Sequence, residues 1–208
     1  MGENMRLIIN WLGLAGAVTT IVLIVASLFY PWWQFRVGED LIAANISPLN
    51  INFSMLGSTF TMPLLWALNL ASILTLVVSS VTMIIYSVSP TKSYSEQLLE
   101  FSYRKPLYML LVFVMCLLAA VVLAQAVLHF NVPVAGTVDS TLPLPLGQGT
   151  TISVLISAEF QWPFALAIVS TILCAAARLY HRKIASIQNQ AMMAAAAPPL
   201  TPPPVAPT

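Results

Sequence analysis

The stretch Leu107–His129, LYMLLVFVMCLLAAVVLAQAVLH, decides the fold class of this chain. It contains no Asp, Glu, Lys or Arg. At about 1.5 Å of rise per residue, a helix of this length crosses the roughly 30 Å hydrocarbon core of a bilayer. The run is too long and too uniformly apolar for a barrel strand, which alternates over about 10 residues. Because only helices and closed barrels satisfy their backbone groups in lipid, the run predicts a transmembrane helix.

Three further runs have the same character, and none contains an acidic residue or a lysine. Together the four runs predict an all-α membrane protein built as a four-transmembrane-helix bundle. The first run continues into Tyr30-Pro31-Trp32-Trp33 instead of a small-residue cleavage site, so we expect a retained span and not a signal peptide. The predicted spans are Leu7–Tyr30, Pro63–Tyr86, Leu107–His129 and Trp162–Tyr180.

The composition agrees with a membrane protein. Hydrophobic residues make up 59% of the chain and charged residues 7%, against about 25% charged residues in soluble domains. The net charge is +1 and the basic residues are scattered, which argues against a nucleic-acid partner. Cys116 and Cys174 both lie within predicted spans, and we interpret them as small apolar packing residues.

The distribution of basic residues predicts the orientation. Lys and Arg collect on the cytoplasmic side of membrane proteins. Seven of the eight basic residues lie on one side of the predicted spans, and Arg36 lies on the other. We therefore expect a multi-pass protein of the cell membrane with both termini in the cytoplasm. The cytoplasmic parts would be residues 1–6, 87–106 and 181–208, and the outer loops would be residues 31–62 and 130–161.

Each outer loop contains runs that are typical of short strands. Asn50–Met55 alternates apolar and polar residues, while Val132–Val138 and Thr150–Ser157 are rich in β-branched residues and are bounded by Pro or Gly. Loops of this length rarely lack structure of their own. We expect a small antiparallel sheet, contributed by both loops, that forms a β-rich extracytoplasmic cap.

The cytoplasmic segments are simpler. The loop of residues 87–106 is polar, with a short helical piece predicted at Ser95–Tyr103. From Ala194 the tail consists largely of Ala and Pro and carries no charge, which is typical of a disordered or polyproline-like segment.

The sequence Pro31-Trp32-Trp33-Gln34 directly follows the first span. With a β-rich segment and three further spans after it, this pattern resembles the claudin and peripheral myelin protein group of tetraspan proteins. Those families typically have Pro-x-Trp after the first helix, matched here by Pro31 and Trp33. The resemblance implies an outer sheet that mediates contacts between neighbouring molecules. The chain departs from the family pattern because residues 36–62 contain no Trp-x-x-Trp and no paired cysteines.

A constellation for catalysis or cofactor binding is missing from the sequence. His129 and His181 lie at opposite ends of the predicted bundle, about 30 Å apart, and Cys116 with Cys174 supplies at most two metal ligands. No phosphate-binding loop, Ser/His/Asp set or paired carboxylates occur. We therefore expect a non-enzymatic protein without cofactor or metal.

Polar residues within the spans have structural interpretations. Asn69 and Gln125 are expected to make hydrogen bonds between helices, in preference to binding a substrate. Small residues on one stretch of the first span suit close approach of another helix. These small residues are Gly13, Gly16, Ala17 and Thr20.

The candidate interaction residues are Trp32, Trp33 and Arg36, because aromatic residues and Arg are enriched at interface hot spots. One interpretation is that at least one tryptophan ring packs beneath the cap and fixes it for contact with a partner. The alternative is that both rings anchor the first helix among lipid headgroups.

The preferred function is a structural or assembly role through contacts of the outer loops. The expected partners are membrane lipids and either other membrane proteins or a second copy of the chain, in an oligomer or complex. One alternative is an accessory subunit of a multisubunit membrane enzyme or transporter. Another is a small-molecule channel or carrier formed by oligomers.

Two triplets in the first outer loop fit the N-x-Ser glycosylation pattern. They begin at Asn45 and Asn52. Because Pro48 directly follows the first triplet, Asn52 is the better candidate.

Overall fold

The computed structural model describes residues 9–38, 41–60, 62–90, 92, 94–128, 132–143 and 151–196. In this part the chain forms four long helices and a six-stranded antiparallel sheet, so the expected class, all-α, holds only for the bundle. The helices are α1 (Trp11–Phe29), α2 (Pro63–Val88), α3 (Ser95–Leu128) and α4 (Trp162–Ala196). The strands are β1 (Trp33–Val37), β2 (Ile42–Ser47), β3 (Asn50–Met55), β4 (Ser58–Phe60), β5 (Gly136–Pro143) and β6 (Thr151–Phe160).

All four helices of the described chain are long and apolar enough to cross a membrane. The most apolar stretch of α3 has a mean hydropathy of 2.9, yet only 17% of it is buried inside the protein. An apolar surface of this extent suits lipid better than water. The helix α4 continues past the predicted end at Tyr180, and residues 197–208, with most of the Pro-rich tail, lie outside the described residues.

The helix α1 packs against both α2 and α4 through its small residues. All four predicted small residues are buried, as expected. A Cβ atom added at Gly16 would lie 3.0 Å from the Sγ atom of Cys174, and the hydroxyls of Thr20 and Ser170 are 2.6 Å apart. Cys174 is buried, as expected of a packing residue, whereas Cys116 is exposed on α3, so that interpretation is wrong for Cys116.

The helix α3 continues without interruption through Pro106, where the sequence predicted the end of a loop. Proline has no N–H, so the carbonyl of Ser102, four residues earlier, lacks its normal helical donor. The hydroxyl of Ser79 on α2 donates to that carbonyl at 2.7 Å. A donor from a neighbouring helix therefore takes the place of the missing backbone group.

Asn10 makes the hydrogen bonds between helices that were expected of Asn69 and Gln125. Its Nδ2 atom donates to the hydroxyl of Tyr86 on α2 at 2.8 Å and to the carbonyl of Ala177 on α4 at 3.2 Å. Gln125 donates instead to a backbone carbonyl in the segment that follows α3. The Oδ1 atom of Asn69 is buried and has no hydrogen-bond partner among the described residues. The prediction was therefore wrong for both residues.

The sheet has the strand order β4-β3-β2-β1-β6-β5, and all neighbouring strands are antiparallel. The central pair joins β1, from the segment after α1, to β6, from the segment before α4. The prediction that both segments contribute to one antiparallel sheet is confirmed. The strand β3 has the predicted bounds, whereas β5 begins at Gly136, later than the expected Val132.

Candidate functional site at the free end of the sheet

The two faces of the sheet differ in burial. Along β1, Trp33 and Val37 are buried and Arg36 is exposed, as expected when successive side chains of a strand point to opposite faces. The inner face packs on the helices, where Trp33 and Ala158 join a core cluster with Phe113 of α3. The outer face is therefore open along β1. Ile42 and Met55 stand in register with Val37 and so belong to the inner face, yet both are exposed.

Trp32 is a buried junction between the sheet and the helices. It is 1% exposed, its ring meets that of Phe113 edge-on at 5.0 Å, and its Nε1 atom donates to the hydroxyl of Ser27 at 2.7 Å. Its backbone N–H donates to the carbonyl of Ile46 at 3.1 Å, and its own carbonyl accepts from the N–H of Gln161 at 2.9 Å. One residue thus connects α1 to both sheet-forming segments.

Trp33 is 4% exposed and lies beneath the sheet. Its Nε1 atom donates to the carbonyl of Val134 at 2.8 Å, and its ring stacks on Phe35 with the centroids 5.8 Å apart. The expectation that at least one tryptophan ring packs beneath the cap is confirmed. Because both rings are covered by protein, the alternative of two headgroup anchors is wrong.

The other candidate residues lie on or near the outer face. Arg36 is exposed on β1. Asn45 on β2 lies directly opposite Gln34 on one side and Asn52 on the other. Asn52 is exposed and donates to the Oδ1 atom of Asn50 at 2.8 Å, whereas Asn45 is half-buried. The greater exposure of Asn52 agrees with its choice as the better glycosylation candidate, and the modification itself stays a prediction.

The turn between β3 and β4 has an unusual backbone. Leu56 has a φ of +51° and the following Gly57 a φ of +78°. Two-residue hairpin turns with positive φ at both positions favour Asn-Gly, because a branched side chain is strained there. Among the described residues other than glycine, Leu56 alone has a positive φ. Leucine at this position costs about 1–2 kcal/mol in backbone strain.

Four apolar side chains surround this turn, and we call them the apolar tip. Leu56 is 71% exposed, Met55 50%, Leu41 45% and Ile42 39%. Ile42 pairs with Met55 across the strands, and Leu56 donates its N–H to the carbonyl of Leu41 at 2.9 Å. The strand β3 begins at Asn50, which is hydrogen-bonded to the end of α1. From Asn50 to Met55 the strand is about 16 Å long, and Phe53, two residues before Met55, lines a cavity together with Leu65 and Leu68 of α2.

The sequence analysis missed the apolar tip. One feature of the sequence could have predicted the turn. Leu56-Gly57 lies between two short runs that are typical of strands, at a place where a hairpin turn normally has Asn-Gly or Asp-Gly. Arg36 was identified on the same sheet, but the exposed leucines were not. Their exposure depends on which end of each strand points away from the helices, and that follows only from the sheet.

The ion pairs found among the described residues belong to the helices and not to the apolar tip. Within the described ranges, no group of three His, Cys, Asp or Glu residues could hold a metal ion. The ion pairs of the described chain join Glu100 to Arg104 and to Arg178, on α3 and α4.

No protein family matches this chain, and a search of curated proteins finds no match.

Proposed function

We propose that this chain is a non-enzymatic membrane protein that makes protein–protein contacts through the apolar tip of its sheet, in a structural or assembly role. The exposure of four apolar side chains around Leu56 carries the proposal. In the proposed orientation the bundle lies in the bilayer, and the apolar tip, which belongs to the sheet, lies in the water outside it. A cluster of exposed apolar side chains in water is typical of a surface that a partner covers.

The backbone of Leu56 supports the same conclusion. Asparagine or glycine would relieve the strained conformation, yet the chain has leucine at this position. Strained residues cluster at binding sites, where the strain holds a side chain in the orientation that binding needs. In the proposed function, Leu56 presents its side chain to the partner at the expense of folding stability.

The proposed location is the cell membrane, with both termini in the cytoplasm and the sheet outside. The charge bias supports this orientation, because Arg36 alone among the basic residues belongs to the sheet side. A sheet that joins both segments, together with Pro31 and Trp33, agrees with the resemblance to the claudin and peripheral myelin protein group. The proposed partner is a second copy of the chain or another membrane protein.

The packing of α1 favours this function over an accessory subunit. An accessory subunit would offer a stripe of small residues to a catalytic subunit within the bilayer. Here Gly13 and Gly16 are buried against α2 and α4 of the same chain. The small residues of α1 are therefore already covered by helices of the same chain, whereas the side chains of the apolar tip are exposed.

The substitution Leu56→Asn tests the proposal. Asparagine tolerates the left-handed conformation and removes the apolar side chain, so folding stability should stay the same or rise. We expect association to weaken at least tenfold, measured as oligomer size in mild detergent by light scattering and as co-purifying protein by mass spectrometry. The control is Leu155→Thr, which removes another exposed leucine from the same sheet, on β6. Unchanged oligomers and partners in Leu56→Asn would contradict the proposal.

A further inference from the structure

The end of the bundle away from the sheet carries a second surface feature, a hollow on the first part of α3. Its lining residues are spaced three or four apart and therefore share one face of the helix. The hollow has a volume of about 350 Å³. We call it the basic hollow, and it is lined by Gln97, Glu100, Phe101, Arg104, Lys105 and Tyr108. Glu96, the other carboxylate of α3, is not among them.

The charges of the basic hollow do not cancel. Arg104 and Lys105 bring two positive charges, and Glu100 brings one negative charge. Glu100 is ion-paired with Arg104 and also lies 3.9 Å from the guanidinium of Arg178 on α4. Lys105 makes no ion pair with a described residue, and its ammonium lies 4.8 Å from the centre of the Phe101 ring. With three basic side chains and one carboxylate, this cluster has a surplus of two positive charges, which an anion would neutralise.

The position of the basic hollow along α3 matches the depth of lipid headgroups. Arg104 lies three residues before Leu107, where the apolar stretch of α3 begins. At 1.5 Å of rise per residue, this separation is about 4–5 Å. The headgroup layer is about 5–8 Å thick on each side of the hydrocarbon core. With the apolar stretch in a bilayer, the charged groups of Arg104 and Lys105 therefore lie at the level of the lipid phosphates.

An apolar strip continues from the basic hollow toward the middle of the membrane. Tyr108, Leu111, Met115 and Val122 follow Arg104 at spacings of 4, 7, 11 and 18 residues, so they lie on the same face of α3. Each of these four side chains is more than half exposed. From Tyr108 to Val122 the strip is about 21 Å long, whereas one leaflet of the hydrocarbon core is about 15 Å thick. An acyl chain can therefore lie along the strip over the whole depth of its leaflet.

We propose that the basic hollow binds the headgroup of an anionic phospholipid, with Arg104 and Lys105 donating to its phosphate and an acyl chain lying along the apolar strip. Hydrogen bonds from Arg and Lys to phosphate are charge-assisted and stronger than neutral ones. The ion pair between Arg104 and Glu100 is exposed, and exposed pairs contribute little, so a phosphate can compete for the guanidinium. The proposal uses the membrane location of the proposed function and makes no use of the apolar tip.

The surroundings of the basic hollow favour a lipid over a soluble anion or an acidic protein segment. Lipid phosphates are concentrated at this depth of the membrane, whereas a soluble anion has to be captured from dilute solution. An acidic protein segment would neutralise the charge but would not cover the apolar strip. In the proposed orientation the hollow lies on the cytoplasmic side, and the cytoplasmic leaflet is the one that carries anionic lipids.

Native mass spectrometry of the full chain with defined lipids tests the proposal. The probe is phosphatidylglycerol, which has a net negative charge, and the reference lipid is phosphatidylcholine with the same acyl chains. The native chain should bind phosphatidylglycerol at least fivefold more tightly. Arg104→Gln combined with Lys105→Gln should lower that preference to less than twofold. The matched control is Arg182→Gln combined with Lys183→Gln, which removes two exposed positive charges from α4 and should keep the preference.

A gain of affinity tests the same site in the opposite direction. Glu100→Gln removes the negative charge from the hollow, so it should raise the affinity for phosphatidylglycerol at least twofold, a gain that a misfolded chain would not show. Equal binding of the two lipids by the native chain, equal losses in the two double variants, or an unchanged affinity in Glu100→Gln would overturn the proposal. So would displacement of bound phosphatidylglycerol by inorganic phosphate or by a polyglutamate peptide at equal concentration. Leu56→Asn should bind phosphatidylglycerol as the native chain does, which separates this test from that of the apolar tip.

Discussion

Replacing Ser79 by alanine tests how α3 stays helical through Pro106. The Ser79 hydroxyl donates at 2.7 Å to the carbonyl of Ser102, the group that would normally accept from the N–H of residue 106. Ser79 is 2% exposed and Ser102 is fully buried, so water does not readily replace the hydroxyl. Ser79→Ala therefore leaves a buried carbonyl without its donor.

The magnitude follows from two limits. Hydrogen bonds between membrane helices contribute about 0.6 kcal/mol on average and about 1.7 kcal/mol at most. A buried polar group left unpaired costs about 1–3 kcal/mol. Because the carbonyl of Ser102 has no donor from its own helix, we expect Ser79→Ala to lower the free energy of unfolding by about 1–2 kcal/mol. In a Pro106→Ala background, the restored N–H should reduce that loss to less than about 0.5 kcal/mol.

The assay is unfolding in mixed micelles, with increasing dodecyl sulfate and far-ultraviolet circular dichroism as the readout. It compares the native chain, both single variants and the double variant. Thr75→Ala is the control, because Thr75 donates to the carbonyl of Ala71 within its own helix. That carbonyl keeps its helical donor, so a change within about 0.5 kcal/mol is expected. An equal loss from Ser79→Ala in both backgrounds would refute the reasoning about Pro106.

Two further predictions concern packing and orientation. Gly16→Val should lower the free energy of unfolding by about 1–3 kcal/mol in the same assay, because even a Cβ atom would lie 3.2 Å from the backbone nitrogen of a residue on α4. The control is Ala15→Val on the exposed face of α1, which should change the free energy of unfolding little. A stable Gly16→Val variant would contradict the packing. The second variant pair is made in a chain without its two natural cysteines. Ser58→Cys should react with an impermeant maleimide in intact cells and Gln97→Cys only after permeabilisation, because the distribution of basic residues predicts that the first turn of α3 lies in the cytoplasm. The reverse pattern would overturn the orientation.

The features that sequence analysis predicted depend on local composition. Four apolar runs identified the four helices, because the length and hydropathy of a segment are local properties. Alternation identified Asn50–Met55 as a strand, and β3 has these bounds. The small residues of α1, such as Gly16, pack closely because any neighbouring helix can approach there.

The features that it missed depend on contacts between distant parts of the chain. Pro106 indicated an interruption of the helix, but the hydroxyl of Ser79 on α2 satisfies the freed carbonyl. Leu56 adopts a backbone conformation that leucine disfavours, so the turn propensity of leucine did not predict a turn at this position. The aromatic residues at the end of α1 suggested a membrane interface. In the folded chain Trp32 is covered by α3 and α4, which the first segment alone does not reveal.

The position of Trp32 also has a mechanical consequence. Its ring is fixed among the helices, and its peptide groups are held by the β2 end of one segment and the β6 end of the other. A hinge between the sheet and α1 would have to break these bonds together. A sideways force on Leu56 is therefore expected to tilt the sheet and α1 together, because no flexible segment between them can bend. In such an arrangement, contact between two molecules outside the membrane would set the angle at which their helices stand within it.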